Sequence, residues 1–379
     1  MDLKLSSDQI FIRDSAQAFA NAEFAPQAAL WDKECIFPVD SLKKAAALGY
    51  AGIYVSEDYG GSNLGRIEAT LVFEALATAC ASTSAYMSIQ NMVAWIIDQY
   101  GNANQKKLWL TGLTSMNLFG SYCLTEPNAG SDAASLKTSA RLDGGDYILN
   151  GTKAFISGGG ASDIYLVMAR TGKEGPGGIS CFVVEKGAAG LSFGKQEKKL
   201  GWHSQPTCMV ILEDCIIPKR NMIGSEGEGF RIAMAGLDGG RVNIAACSIG
   251  AASNSLEIAR EHTLVREQFG RQISSFQALQ FKLADMITEL EAARLMTWSA
   301  AQKIDEKDTG ANAFCAMAKR LATDSGYSIV NDALQLLGGY GYLQDHPIER
   351  HLRDLRVHQI LEGTNEIMRL IIARDLLGK

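Results

Sequence analysis

At 379 residues the chain is too long for one simple core, and two or three domains are expected. Hydrophobic residues make up 47% and charged residues 21%, an ordinary globular balance, and the net charge of -6 is mild and not clumped. No dense Lys/Arg block occurs, which removes nucleic acid and anionic membrane surfaces as partners.

Eight cysteines are scattered singly with no CxxC, and the closest pair, Cys208 and Cys215, flanks an expected strand. They read as buried, reduced thiols. His346, His351 and His358 have no metal-site spacing, so no metal is expected. The start, Met1-Asp2-Leu3-Lys4, resembles neither a signal nor a transit peptide. A start at Met1 points to a bacterial, cytoplasmic protein, with the mitochondrial matrix as the alternative if a presequence has been removed.

Residues 1–119 read as an N-terminal helical domain. Ser6 and Ser7 can cap an amphipathic stretch with Ile10, Phe11 and Phe19, followed by helices near 41–48, 66–80 and 85–100. No charge falls between Glu74 and Asp98, yet Thr78, Ser82, Thr83, Ser84, Ser88, Gln90 and Asn91 interrupt the run. A buried helix pair is expected there, with no membrane insertion. Over 120–224 apolar runs shorten to strand length, giving a middle antiparallel β domain. Tyr147-Ile148-Leu149 and Thr152 to Ile156 flank Asn150-Gly151, which predicts a hairpin turn. Further strands are expected at 164–169, 180–184 and 207–212. From 225 to 379 the helical texture returns, near 228–265, 275–305, 311–337 and 364–377, and predicts a C-terminal four-helix bundle entered through a hinge at Gly224 to Gly229. The fold class is α+β, multidomain.

Neither GxGxxG nor GxxxxGK[ST] is present, so any nucleotide cofactor is held outside a Rossmann arrangement. Four segments stand out. They are Tyr122-Cys123-Leu124-Thr125-Glu126-Pro127-Asn128-Ala129-Gly130-Ser131-Asp132, then Lys153 to Gly158, then Arg266-Glu267-Gln268-Phe269-Gly270-Arg271-Gln272-Ile273. The fourth is Ile360-Leu361-Glu362-Gly363-Thr364-Asn365, preceded by Gln335-Leu336-Leu337-Gly338-Gly339-Tyr340-Gly341-Tyr342. Taken locally these are a polar loop, a return strand, a helix connection and a Glu-Gly turn feeding an N-cap.

In this order they resemble the signatures of the acyl-CoA dehydrogenase family over essentially the whole chain. The run from Ser180 to Ser225, Gly239-Gly240-Arg241 with Ile244-Ala245, and Val357 to Gly363 resemble the branch that oxidises isobutyryl-CoA in valine degradation. The resemblance implies an acyl-CoA dehydrogenase-like fold, FAD as cofactor, an acyl-CoA substrate and electron-transferring flavoprotein as acceptor. It also implies a homotetramer in which one subunit completes its neighbour's FAD site. The expected reaction is α,β-dehydrogenation of isobutyryl-CoA to methacrylyl-CoA, with proton abstraction at Cα and hydride transfer from Cβ to flavin N5. Short-chain (butyryl) or 2-methylbutyryl-CoA dehydrogenation is the alternative; an oxidase passing electrons to O2 and a flavin-containing scaffold with vestigial activity are the others.

By the same resemblance Glu362 is the catalytic base. Some relatives carry the base on a bundle helix beside an arginine matching Arg241, but that neighbour here is Gly240, which has no proton acceptor. Tyr122, Leu124, Thr125, Ser131, Phe155 and Ser157 match flavin contacts. Arg266 and Phe269 match the adenine-diphosphate clamp, and Gln268 and Phe276 are further expected FAD contacts. Gln335, Gly338 and Gly339 would come from the neighbouring subunit, and Thr364 and Glu366 close the FAD set. Ser131, Asp238, Arg241 and Arg374 match positions on the CoA portion. Leu361, where straight-chain members commonly carry Tyr, leaves room for a methyl branch at Cα.

Overall fold

The computed structural model describes residues 4–378, so the start at Met1 to Leu3 lies outside the described residues. Helices α1 (Ser7–Phe19), α2 (Ala28–Glu34), α3 (Val39–Ala47), α4 (Arg66–Ala79), α5 (Ala81–Tyr100) and α6 (Ala103–Thr114) come first. Ser6 caps α1 through a capping box: its hydroxyl accepts from the Gln9 N–H, and the Gln9 side chain accepts from the Ser6 N–H. The uncharged run forms the end of α4 and nearly all of α5, broken at Cys80, and it is buried. Its polar residues serve as sockets for neighbouring loops. Gln90 donates to the carbonyls of Leu113 and Leu118 and accepts from Gly120 N–H, while Asn91 joins Ile53 and Tyr50. Buried amides satisfied in this way replace the water that those loop groups lose. No helix of the described residues is long and apolar enough to cross a membrane.

The middle of the chain forms a sheet from β1 (Gly120–Cys123), β2 (Ser139–Asp143), β3 (Asp146–Ser157), β4 (Ile164–Arg170), β5 (Ile179–Glu185), β6 (Leu191–Phe193), β7 (Thr207–Pro218) and β8 (Met222–Ile223). The order is β6-β7-β3-β2-β4-β5-β8, mostly antiparallel, with β1 beside β4 in parallel. The hairpin expected at Asn150-Gly151 is not there. The tight turn is Gly144-Gly145, joining Asp143 to Asp146, and Asn150-Gly151 is a bulge inside the twelve-residue β3. Gly151 serves close approach instead of a turn, since a Cβ on it would lie 2.7 Å from Thr138 Cα. Asn150 exchanges hydrogen bonds with Asp214 across the bulge. Cys208 and Cys215 lie within β7. All eight cysteines are free thiols, and Cys35, contrary to expectation, is exposed.

The remainder is helical: α7 (Gly229–Val265), the short β9–β10 hairpin (Glu267–Gln268 and Arg271–Gln272), α8 (Gln277–Asp305), α9 (Ala311–Leu337), α10 (Ile348–Arg356) and α11 (Asn365–Leu376). An apolar core runs through α7, α8, α9 and α10. A second core joins the sheet to α5, α6 and α7, so α7 touches every layer. At 37 residues α7 spans about 55 Å.

Candidate active site

The loop between α10 and α11 carries Glu362. Two successive positive φ angles, 53° at Glu362 and 94° at Gly363, turn the chain into α11, which Thr364 caps by accepting from Ile367 N–H. A left-handed glutamate costs roughly 1–2 kcal/mol and persists only when its surroundings hold it. Arg241 Nε donates to Glu362 O at 3.1 Å, and Lys319 Nζ donates to Gly363 O at 2.8 Å and to Asn365 Oδ1 at 2.9 Å. Upstream, Trp202 Nε1 donates to His358 Nε2 at 3.2 Å. An indole only donates, so the His358 proton sits on Nδ1 and is given to Ser248 Oγ at 2.7 Å; that hydroxyl donates onward to Ile244 O. Leu361 packs with Val357 against Ala85, Trp202 and Ile244.

Glu362 is partly exposed as a residue, but its Oε2 is shut off from solvent and has no hydrogen-bond partner. Burial pushes the carboxyl up to about 7, against the opposing charges of Arg241 and Lys319. A Cβ built on Gly240 would lie 2.9 Å from Glu362 Cδ, so the alternative base position on α7 and Glu362 share one space. Buried Arg241 also donates to Asp238 Oδ1 at 2.7 Å, which accepts from Asn312 as well. Burial raises Asp238 above its ordinary value while Arg241 opposes the rise. Lys319, within an Ala-rich face of α9, is pushed down to about 8 by burial, with Glu362 opposing. Its signal in the sequence is a lone lysine in the middle of Ala316 to Ala322, which belongs to no motif.

Strands β1 and β3 supply the next group. The Tyr122 hydroxyl donates to Ala233 O on α7, and burial raises its phenol well above the ordinary value; the charges of Glu362 and Arg241 also reach it. Leu124 is buried, and Thr125 O accepts the Ala154 N–H at 2.9 Å. Phe155 sits on a second bulge of β3 at φ 58°, which leaves it 69% exposed, and Ser157 O accepts from Ser121 Oγ. Ser131 is exposed. A buried ion pair ties the two segments together: Lys153 Nζ lies 2.8 Å from Glu126 Oε1 and also donates to Leu124 O. Burial alone would raise the Glu126 carboxyl, but Lys153 and the N–H groups of Lys137 and Thr138 hold it below its ordinary value.

A separate cleft of about 460 Å³ is lined by His262, Arg266, Gln268, Gln335, Gly338 and Gly339, among others. Phe269, 93% exposed, meets Phe276 edge-on at 6.2 Å. Within one chain, Arg266 and Gln268 share this cleft with Gln335, Gly338 and Gly339. Arg241 and Arg266 lie about 37 Å apart along α7. Glu366 and Arg374 are exposed on α11, and Arg374 is about 15 Å of helix from Thr364. Among the described residues no cluster of His, Cys, Asp or Glu could hold a metal ion.

Models of the acyl-CoA dehydrogenase N-terminal, middle and C-terminal domains match residues 6–117, 121–215 and 227–377. The chain belongs to the acyl-CoA dehydrogenase family. It is an oxidoreductase acting on acyl-CoA thioesters. It is 56% identical over 373 residues to mitochondrial isobutyryl-CoA dehydrogenase of Bos taurus, covering 98% of this chain and 90% of that one. Butyryl-CoA dehydrogenase from Megasphaera elsdenii superposes with a TM-score of 0.96 at 38% identity, over 100% of both chains. PigA, solved with FAD and proline, superposes with a TM-score of 0.96 at 33% identity, over 99% of both chains.

Proposed function

We propose that this acyl-CoA dehydrogenase converts isobutyryl-CoA to methacrylyl-CoA in valine degradation, with Glu362 as catalytic base and FAD as hydride acceptor. The observation that carries the proposal is the Glu362 carboxylate, dry at Oε2, without a partner, and poised near pH 7. A general base is most effective when its pKa lies near the working pH. Arg241 and Lys319 grip the carbonyls on either side of its bend and so fix where the carboxylate points. The Glu362 N–H makes no hydrogen bond among the described residues, which leaves it free to donate to the thioester oxygen as the α proton departs.

The residues fit a flavin. Phe155 presents an uncovered ring on its bulge, and Cβ atoms on Gly338 and Gly339 would meet nothing within 4 Å beside Arg266. FAD held here would supply the acceptor for the Cβ hydride and the link to electron-transferring flavoprotein. Tyr122, Leu124, Thr125, Ser131, Phe155, Ser157, Thr364 and Glu366 hold its flavin side; Asp238, Arg241 and Arg374 serve the CoA portion. The cleft at Arg266, Gln268, Gln335, Gly338 and Gly339 stands about 37 Å along α7 from Arg241, and we assign it, with Phe269 and Phe276 beside it, to a partner's cofactor within a homotetramer.

The isobutyryl assignment draws support from the bovine relative and from Leu361 preceding the base. The test is anaerobic bleaching of flavin absorbance by butyryl-, isobutyryl-, 2-methylbutyryl- and isovaleryl-CoA. Isobutyryl-CoA is expected to give the highest kcat/KM. Glu362→Gln is expected to keep FAD and lose bleaching; substantial residual reduction would refute the base assignment.

A further inference from the structure

Beside Glu362 stands a second charged group that the reaction as described does not use. Arg66 opens α4 and is only 4% exposed. Its guanidinium lies 3.6 Å from the Tyr54 ring centroid and 5.0 Å from that of Trp95, clamped by aromatic faces on α5 and the loop before α4. Asn243 on α7 donates to the Tyr54 hydroxyl at 3.0 Å, and its own Oδ1 is buried without a partner. Burial raises the Tyr54 phenol, and the charges of both Arg66 and Glu362 reach it.

The backbone of α7 completes the arrangement. A Cβ on Gly239 would lie 2.9 Å from Arg66 Cζ, and a Cβ on Gly240 would lie 2.9 Å from Glu362 Cδ. Adjacent Cα atoms are about 3.8 Å apart, so the two charged groups face successive steps of one bare stretch of helix. Successive helix positions point about 100° apart, so the two groups sit at neighbouring corners of one bare turn, and an acyl chain leaving Glu362 toward α4 would meet the Arg66 guanidinium. To pass, it would have to push a buried cation off two aromatic rings and leave it unsolvated.

We infer that Arg66 is a specificity-determining residue whose clamped guanidinium closes the acyl cavity and restricts the enzyme to short acyl groups. The inference rests on Glu362 being the base. It places the length limit on α4 and α5, and leaves selection for the α-branch to Leu361.

The experiment compares kcat/KM for butyryl-, hexanoyl- and octanoyl-CoA in the FAD-loaded wild type, Arg66→Ala and Arg66→Leu. Shortening the side chain is expected to raise the hexanoyl-to-butyryl ratio by about tenfold or more, the scale of discrimination set by a methylene or two in an apolar pocket. A general loss of activity without a change in that ratio overturns the inference. So does loss of bound FAD in both variants, which would assign Arg66 to folding. Glu362→Gln is measured alongside: full turnover there removes the base on which the inference rests, whereas an inactive Glu362→Gln with an unchanged ratio sinks the role of Arg66 alone.

Discussion

The hydrogen of Gly240 faces the carboxylate of Glu362, with room for nothing larger between them. Gly240→Ala is therefore expected to leave folding and FAD content intact while displacing the carboxylate. A misplacement near 1 Å costs roughly 100-fold in rate, and kcat should fall by about that much. Because the two positions share one space, Gly240→Glu combined with Glu362→Gly should recover turnover that Glu362→Gly alone lacks. Steady-state kinetics on the three variants decides it, and an unimpaired Gly240→Ala would show that the contact does not matter.

The pH dependence has a definite sign. Glu362 acts deprotonated, so kcat/KM should climb with pH through about 7 and level off above it. The Lys319 charge works against the burial that raises this carboxyl, so Lys319→Met should move the inflection to higher pH. An inflection that stays or moves down would mean that Lys319 acts only by holding the Gly363 carbonyl.

His351 and His358 are both pushed down to about 3 by burial. Between about pH 6.5 and 3 the unfolded chain takes up protons that the folded protein refuses. Stability is thus full above about pH 6.5 and falls as pH drops, by up to about 1.4 kcal/mol per pH unit for each imidazole. His358→Gln should flatten the acid limb of a denaturation series by one proton's slope. A limb as steep as in the wild type would show that His358 is not neutral in the fold.

Lys153 and Glu126 form an ion pair with almost no access to water. Removing one partner strands a buried charge, so Lys153→Met should cost about 3–5 kcal/mol in chemical denaturation. Adding Glu126→Gln should return part of that loss, since the two residues are directly coupled. Strict additivity would contradict the pairing.

Leu361 lies against Trp202, Ile244 and Ala85, immediately before the base. Leu361→Tyr should lower kcat/KM for isobutyryl-CoA more than for butyryl-CoA. Equal losses on both substrates would remove Leu361 from the selection of branched chains.

The long helices were legible because their apolar spacing persists over many turns, and Ser6 with Gln9 marked the first of them. The turn signal at Asn150-Gly151 does not produce a hairpin because glycine there answers to Thr138, a neighbour that no local pattern reveals. The Glu362 segment stood out by resemblance. Its supports did not: Lys319, His358 and Trp202 act through tertiary contacts between elements far apart in the chain. Arg66 was equally silent, since its partners Tyr54, Trp95 and Gly239 come from three different segments.

The length of α7 has a genetic consequence. Under the two-chain arrangement proposed above, a subunit lacking a working Glu362 still lends an intact Arg266 cleft to its neighbour, and a subunit with a ruined cleft still offers a good Glu362. Two inactive alleles of these opposite kinds, expressed together, would assemble one complete centre per mixed pair. Two alleles of the same kind would assemble none.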